Sequence, residues 1–446
     1  MNDTTTPVVE RGAAAGDDAA AIPDTGQHGG HLGALLLLAL TIASGATLRI
    51  VFSPLQELAK GELSLTDLQL SLVQGLAASI PIAILAIPIG RLVDRSNRVR
   101  LLIALAAVSA VGTLMTAIAH DFATLFVARM LAGLGAVCAI PVAISIAADL
   151  SAIERRGRAI LLLSTGQAIG VAAGFALAGA LIGAIGAGPD GWFGMTAWRS
   201  VHILFGVAAL LCVVPLLLLA EPARRELGNI VHPPFGVVLR ELWIRRAFLI
   251  PLFIGQISVV MADVAAGIWA APVLTRDHGL TPEQFGAWMG LAVLVPGIAG
   301  SIIGGIAADL GQRSSRRGGI LYGAVIASVV AIPAALFPLA PGLAGFASVL
   351  GLFLLCGAMT GLITATVIAT IIPNELRGIC LGMFVVVSSV IGMGIAPTVV
   401  TLVSAALGGE SHLAAALAGT GVVISVASLL AFVLAAMRLP LPERAR

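Results

Sequence analysis

Two arginines and one aspartate stand in sequence that is otherwise hydrocarbon. Arg49 lies between Gly45 and Pro54, Arg129 about a third of the way along an apolar run over 122–149, and Asp263 inside a run over 247–271. A lone charge in a bilayer interior is expensive, so each of these side chains is expected to face a wet cavity or a partner instead of lipid. Arg49, near the end of its run, has the alternative of reaching the outer headgroups. Asp263 is the only carboxylate in the interior of any apolar run, which makes it the natural protonatable group and a counter-ion candidate. A carboxylate holds its proton in a poorly hydrated cavity and releases it beside a cation. Alternation of Asp263 near Arg129 would therefore couple a proton to transport; a static salt bridge is the competing reading. Gln74, Gln167 and Gln256 are the other polar side chains expected in this interior. Such a cavity, with few aromatics, suits an amphipathic solute with an anionic headgroup better than a sugar.

A second set of charges crowds the inner ends of the runs. Gly90, Asp94, Arg95, Arg98 and Arg100 form one turn, and Gly305, Asp309 and Arg313 repeat it more weakly. Glu154, Arg155, Arg156 and Gly157 follow the fourth run, with Arg158 one residue on, and Glu375, Leu376, Arg377 and Gly378 follow the tenth. Gly90 is expected to admit a neighbouring helix, Asp94 to accept from helix-terminal N–H groups, and the arginines to bridge to Glu154 or to lipid phosphate. This reads as a polar lock that breaks and reforms during gating; simple anchoring at the headgroups is the alternative.

The elements that must position these groups follow from composition. Of 446 residues, 59% are apolar and 11% charged, where about 25% charged is usual. That excludes an ordinary soluble enzyme, a disordered chain and a nucleic-acid binder. Apolar runs recur at 33–52, 69–90, 101–119, 122–149, 158–186, 200–220, 247–271, 284–309, 320–338, 342–371, 378–406 and 413–437, twelve spans in all. With the N-terminus inside, the inner segments hold twenty basic residues against three outside, Lys60, Arg199 and Arg276. Both termini are therefore expected in the cytoplasm. The four cysteines lie in or beside apolar runs without ligand spacing, so neither a disulfide nor a metal site is expected.

The sequence also repeats internally. Thr66 and Gln69 precede the second run as Thr281 and Gln284 precede the eighth, and Gly90 matches Gly305 at the same offset of 215 residues. Glu154 matches Glu375 at an offset of 221. Three ordered matches divide the chain into two six-helix halves. The fold class expected is thus an all-alpha polytopic membrane protein with twelve transmembrane helices in two pseudo-symmetric halves. Residues 1–31 form a disordered tail, 32–220 the first half, 221–245 a cytoplasmic linker, 246–438 the second half and 439–446 a short tail. Thr66 and Thr281, each three residues before Gln, are capping-box helix starts, with Pro282 at the first helical position. Trp192, Trp198, Trp243 and Trp269 suit interfacial belts, and His202 opens the sixth span as a satisfied polar group.

Residues 90–98, Gly-Arg-Leu-Val-Asp-Arg-Ser-Asn-Arg, resemble the loop signature of the major facilitator superfamily, with Asn97 where glycine is usual. Arg129 with Gly133 and Gly135 is similar to its fourth-helix signature, and Gly166, Gly170 and Gly174 lie where its fifth helix is glycine-rich. The resemblance covers residues 32–438 and implies alternating access around one central site. Within the superfamily, residues 63–69, 89–98 and Ala148, Asp149, Leu150, Glu154 and Arg156 look most like the bacterial Spinster-type branch. That implies a lysolipid or sphingolipid substrate and proton coupling. The chain departs from the branch at Leu48, where an Asp precedes the arginine, and at Ala136, where a Glu follows the glycine. Asp263 then either replaces the missing carboxylates or the protein is an uncoupled facilitator, and a multidrug or small organic-anion transporter is the alternative.

No nucleophile, paired carboxylates or soluble catalytic domain supports an enzyme, and no cofactor is implied. The expected partners are an amphipathic small-molecule or lipid substrate, protons and membrane lipids. A monomer suffices because one chain carries both halves, and the expected location is a bacterial inner membrane.

Overall fold

A computed structural model describes residues 28–152, 155–186, 191–224, 235–314 and 316–439. Residues 1–27 and 440–446 of the tails, residues 225–234 of the linker and Glu154 lie outside the described residues, and so does the side chain of Arg377. Among the described residues twelve helices are long and apolar enough to cross a membrane. Helices satisfy every backbone group internally, which hydrocarbon demands.

The first half comprises α1 (His28–Ile50), α2 (Phe52–Leu63), α3 (Asp67–Ser71), α4 (Ala77–Arg95), α5 (Arg98–Ala117), α6 (Phe122–Leu150), α7 (Arg156–Ile185) and α8 (Ala197–Val213). After the short α9 (Phe235–Ile244), the second half comprises α10 (Arg246–Arg276), α11 (Pro282–Arg313), α12 (Tyr322–Ala334), α13 (Gly342–Ile371), α14 (Asn374–Val387), α15 (Ala396–Leu407) and α16 (Leu413–Arg438). Short π-helical segments, Leu72–Leu76 and Ser388–Ile395, join α3 to α4 and α14 to α15. Local chemistry sets several starts. Thr66 and Thr281 both make full capping boxes, Asn97 accepts from the Arg100 N–H, and Asp121 caps α6 through Thr124.

The first span runs well past the expected end at residue 52, because α2 continues it to Leu63. Its polar residues Gln56, Glu57, Lys60 and Glu62 are ordered by partners, not by lipid. Trp198 and Trp269 are 1% and 0% exposed, so they are core residues and not members of an interfacial belt. Each indole N–H has an internal acceptor, Glu62 for Trp198 and the Pro397 carbonyl for Trp269. A deeply buried indole is tolerated when its donor is paired. Trp192 and Trp243 remain exposed.

Within the first half α1 packs on α7, and α5 lies between α6 and α8; within the second, α10 packs on α16 and α11 on α13. The halves meet where α7 packs on α11, α2 on α10, and the two π segments on each other. Gly166 and Gly170 hold α7 against the backbone of α1, in the same half. The crossing to the other half is made farther along, where Gly179 and Gly286 face each other and a Cβ on Gly286 would lie 2.6 Å from the Phe175 carbonyl oxygen. Only glycine permits that approach.

Buried side chains divide unequally along the membrane normal. At the end bearing Lys60 and Arg276, one core is shared by both halves and includes Leu55, Leu70, Trp269, Phe285 and Phe337. Toward the arginine-rich end there are two separate cores. One, with Ile89, Leu102 and Ile146, belongs to the first half, and the other, with Leu252, Ile320 and Phe432, belongs to the second. The molecule is closed at the first of these ends, called the far end below.

Candidate functional site

Between the halves lies a cavity of about 340 Å³. Arg49, Ser53, Gln74 and Arg129 enter its wall from the first half and Asp263 from the second; the rest is largely aliphatic, with Val73, Val171, Val264, Val293, Leu350 and Leu354 among its lining. The position of Arg129 follows from Pro54. Proline has no N–H and its ring presses on the carbonyl four residues back, here Ile50, and the helix is interrupted at Val51. Carbonyls at the broken end turn to Arg129, whose Nη1 donates to Leu48 O at 3.2 Å and Nη2 to Arg49 O at 2.7 Å. Its guanidinium also stands 5.2 Å from the centre of the Phe52 ring. The side chain is 4% exposed, and its Nε–H has no acceptor among the described residues. Arg129 is thus held by two backbone dipoles and a π face in the cavity wall.

Asp263 is fixed differently. Its carboxylate occupies the space over Gly357, where any Cβ would collide with both carboxylate oxygens and their carbon. No ion pair joins it to Arg129 among the described residues, so the two stand on walls from different halves with the cavity between them. Gln74 donates to Gln56 at 3.1 Å, and Gln56 donates to the Ile268 carbonyl at 2.6 Å, crossing from one half to the other.

The far end is clamped by ions. Arg276 donates to Glu57 at 2.7 and 3.0 Å and to both oxygens of Asp67 at 2.7 Å. Lys60 donates to Asp67 at 2.7 Å and also pairs with Glu410. Each of these acids or bases reaches across the junction of the halves, apart from the local Lys60–Asp67 pair.

Residues 36–397 match the family model described as Major Facilitator Superfamily. The chain belongs to that superfamily. It is an integral membrane protein. Its fold is similar to that of a bacterial homolog of the human lysosomal transporter Spinster, crystallised inward-facing and unoccupied, with TM-score 0.78, 22% identity and coverage of 92% of this chain and 96% of that one. A nucleoside transporter, NupG, gives TM-score 0.70 at 13% identity over 90% of this chain and 99% of that one. In sequence, 245 residues are 28% identical to the 3-(3-hydroxy-phenyl)propionate transporter of Escherichia coli (strain K12), covering 54% of this chain and 56% of that protein. A chloramphenicol resistance protein of Streptomyces lividans is 30% identical over 223 residues, 50% of this chain and 51% of that protein. The chain thus spans about half the length of either relative.

The structure does not gather every residue that the sequence suggests for the cavity. Arg49, Gln74, Arg129 and Asp263 line it. Gln167 is half-buried on α7 and outside the cavity wall. Gln256 is buried on α10, where it accepts from Thr364 at 2.9 Å as an internal link between α10 and α13.

The arginine-rich turn is also organised otherwise than expected. Among the described residues no helix packs on Gly90, where a Cβ would meet nothing within 4 Å. Asp94 has an exposed side chain, and its backbone carbonyl, with those of Val93 and Ser96, accepts from Arg224. Arg98 is the structural centre. At 3% exposure it pairs with Asp149, with Glu221 at 2.7 Å and with the Pro222 carbonyl at 3.0 Å, where the sequence suggested Glu154 or a headgroup. Arg95, Arg158, Asp309 and Arg313 are exposed. The Arg98 cluster therefore ties the first half to the start of the linker, and among the described residues the ion pairs that cross between halves lie at the far end. Glu57, Asp67, Glu410 and Gln56 carried no spacing signal, because their partners are more than two hundred residues away or in another helix. Asp149 was marked only through the family resemblance.

Proposed function

We propose that this protein is a secondary active transporter that moves an amphipathic anion by alternating access. The cavity carries the reading: two arginines and one aspartate in otherwise aliphatic walls, at the junction of the halves. The anionic head would sit at Arg49 and Arg129, and the apolar body along the wall. Residues 32–220 and 246–438 would be the rocking units and 221–245 their tether. A lysolipid or sphingolipid-like substrate is the first reading, favoured by the aliphatic character of the wall. A small aromatic carboxylate is the second, favoured by the likeness to the hydroxyphenylpropionate transporter.

Charge balance supplies a role for Asp263. With the aspartate ionised, the two arginines leave one net positive charge, which a monoanion neutralises. A phosphate dianion would be neutralised only if Asp263 also held a proton. Uncompensated charge is costly in a poorly hydrated cavity, so proton binding and dianion binding favour each other. Proton coupling would then be obligatory for a phosphomonoester and dispensable for a carboxylate.

The arginine-rich end would face the cytoplasm of a bacterial inner membrane, with both termini inside. One chain, as a monomer, would complete the pathway. The test is transport into liposomes by purified protein with lysophospholipids, sphingoid phosphates, arylpropionates and organic cations, with and without a pH gradient. Anion movement that requires Arg129 supports the reading. Movement of organic cations alone would replace it with a multidrug transporter, and anion movement indifferent to the gradient would make it a facilitator.

A further inference from the structure

Pro272 lies inside α10 and has no N–H to give to the carbonyl of Ile268, four residues back. An orphan carbonyl in a buried helix needs another donor. It receives one from the opposite half, because the amide of Gln56, fully buried on α2, donates to Ile268 O at 2.6 Å. One turn nearer the cavity Ser53 donates to the adjacent carbonyl of Gly267 at 2.8 Å.

The polarity of this link is fixed. A carbonyl only accepts, so Gln56 must present its nitrogen to Ile268 and its oxygen to the next group. That group is the amide nitrogen of Gln74, at 3.1 Å, and Gln74 is in the cavity wall. A continuous relay therefore runs from the cavity through Gln74 and Gln56 to a backbone defect in the other half.

We infer that Gln56 is a positioning residue that latches the far end shut by satisfying the carbonyl that Pro272 orphans, and that Gln74 exposes this latch to the occupant of the cavity. When α2 and α10 separate, both amide and carbonyl pass to water, and the closed state loses a hydrogen bond that only it can make. A bound molecule that engages Gln74 pulls on the same relay. The use made of the latch rests on the alternating-access reading, but its existence is measurable without any substrate.

The experiment is hydrogen–deuterium exchange on the full chain in detergent, following backbone amides of residues 52–63 and 264–276, in a cycle of Gln56→Leu and Pro272→Ala. Gln56→Leu is expected to speed far-end exchange about tenfold in the native background. In the Pro272→Ala background, residue 272 supplies the missing N–H, and the same change should have at most a twofold effect. A purely structural role of a buried glutamine would give equal effects in both. Gln56→Asn, too short to span the gap, serves if the leucine variant does not fold and carries the same expectation. Equal acceleration in both backgrounds, or none in the native one, overturns the latch. Neither result bears on which solute is carried.

Discussion

Replacing Arg276 by glutamine should open the far end, and the size of the effect follows from its surroundings. The Arg276 side chain is 18% exposed, Glu57 19% and Asp67 8%, and four N–H···O contacts of 2.7–3.0 Å join them. Fully exposed pairs contribute about 1 kcal/mol or less, and removing one partner of a buried pair costs about 3–5. At this degree of burial the closed state should lose about 3 kcal/mol relative to an open state in which all three groups are hydrated, or about 100-fold in the equilibrium. A far-end-open population of about 1% would become about half. Arg276→Lys keeps the charge but not the planar fork, so it should retain part of the clamp and shift the equilibrium by about tenfold. Spin labels at Gly61 and Asp277, both exposed, would report the separation of the halves; a Cβ at Gly61 meets nothing within 4 Å. Cys212, the one cysteine not buried, would first be replaced by serine. A distance distribution unchanged by Arg276→Gln would refute the assignment of this network as the clamp.

Arg129→Gln removes the charge but leaves one amide for the carbonyls of Leu48 and Arg49, so the helix junction should survive while affinity for anionic solutes falls at least 100-fold, as read by calorimetric titration. Retained affinity would place the anion elsewhere. Gly357→Ala must displace the Asp263 carboxylate and should change gradient-driven transport as Asp263→Asn does, with transport down a substrate gradient surviving in both; a silent Gly357→Ala would show that the carboxylate position is immaterial. Arg98→Ala takes the ion-pair partner from Glu221, which keeps the Val99 N–H, and the arginine donor from the Pro222 carbonyl, and should destabilise the first half by about 3 kcal/mol, seen as a lower melting temperature in detergent; an unchanged melting temperature would remove Arg98 from the framework of that half.

The spans were legible because their signal is local. Twenty apolar residues, a capping threonine with glutamine three residues on, or a crowd of arginines can each be read from a short window. Thr66 and Thr281 illustrate this: both capping boxes form as their spacing requires. The extension of the first span to Leu63 was hidden for the same reason. Lys60 and Glu57 lower the hydropathy of the window, and nothing nearby reveals that Asp67, Glu410 and Arg276 will order them. Trp269 was misplaced because an indole reads as interfacial until the Pro397 carbonyl, contributed by α15, is brought to it. The cavity charges were visible because hydrocarbon makes every charge conspicuous. Gln167 and Gln256 were equally conspicuous, but an amide can be satisfied by one hydroxyl on a neighbouring helix, as Thr364 does for Gln256.

The clamp also shows how a repeated sequence gives an asymmetric device. Lys60 and Arg276 occupy almost equivalent places in the two repeats, since 216 residues separate them and the helix starts at Thr66 and Thr281 are 215 apart. Duplication thus provides a cation near the far end of the first span of each half. The acid beside them is not duplicated: Asp67 follows Thr66, but Pro282 follows Thr281. One oxygen of Asp67 therefore accepts from both Lys60 and Arg276, each at 2.7 Å. Symmetric cations converge on a single carboxylate, and Glu57 and Glu410 supply the remaining negative charge. When the halves separate, Asp67 and Lys60 leave together and Arg276 loses both of its acids at once. Closure at the far end is consequently governed chiefly by one residue of the second half, which is why a single substitution at Arg276 should move the equilibrium so far.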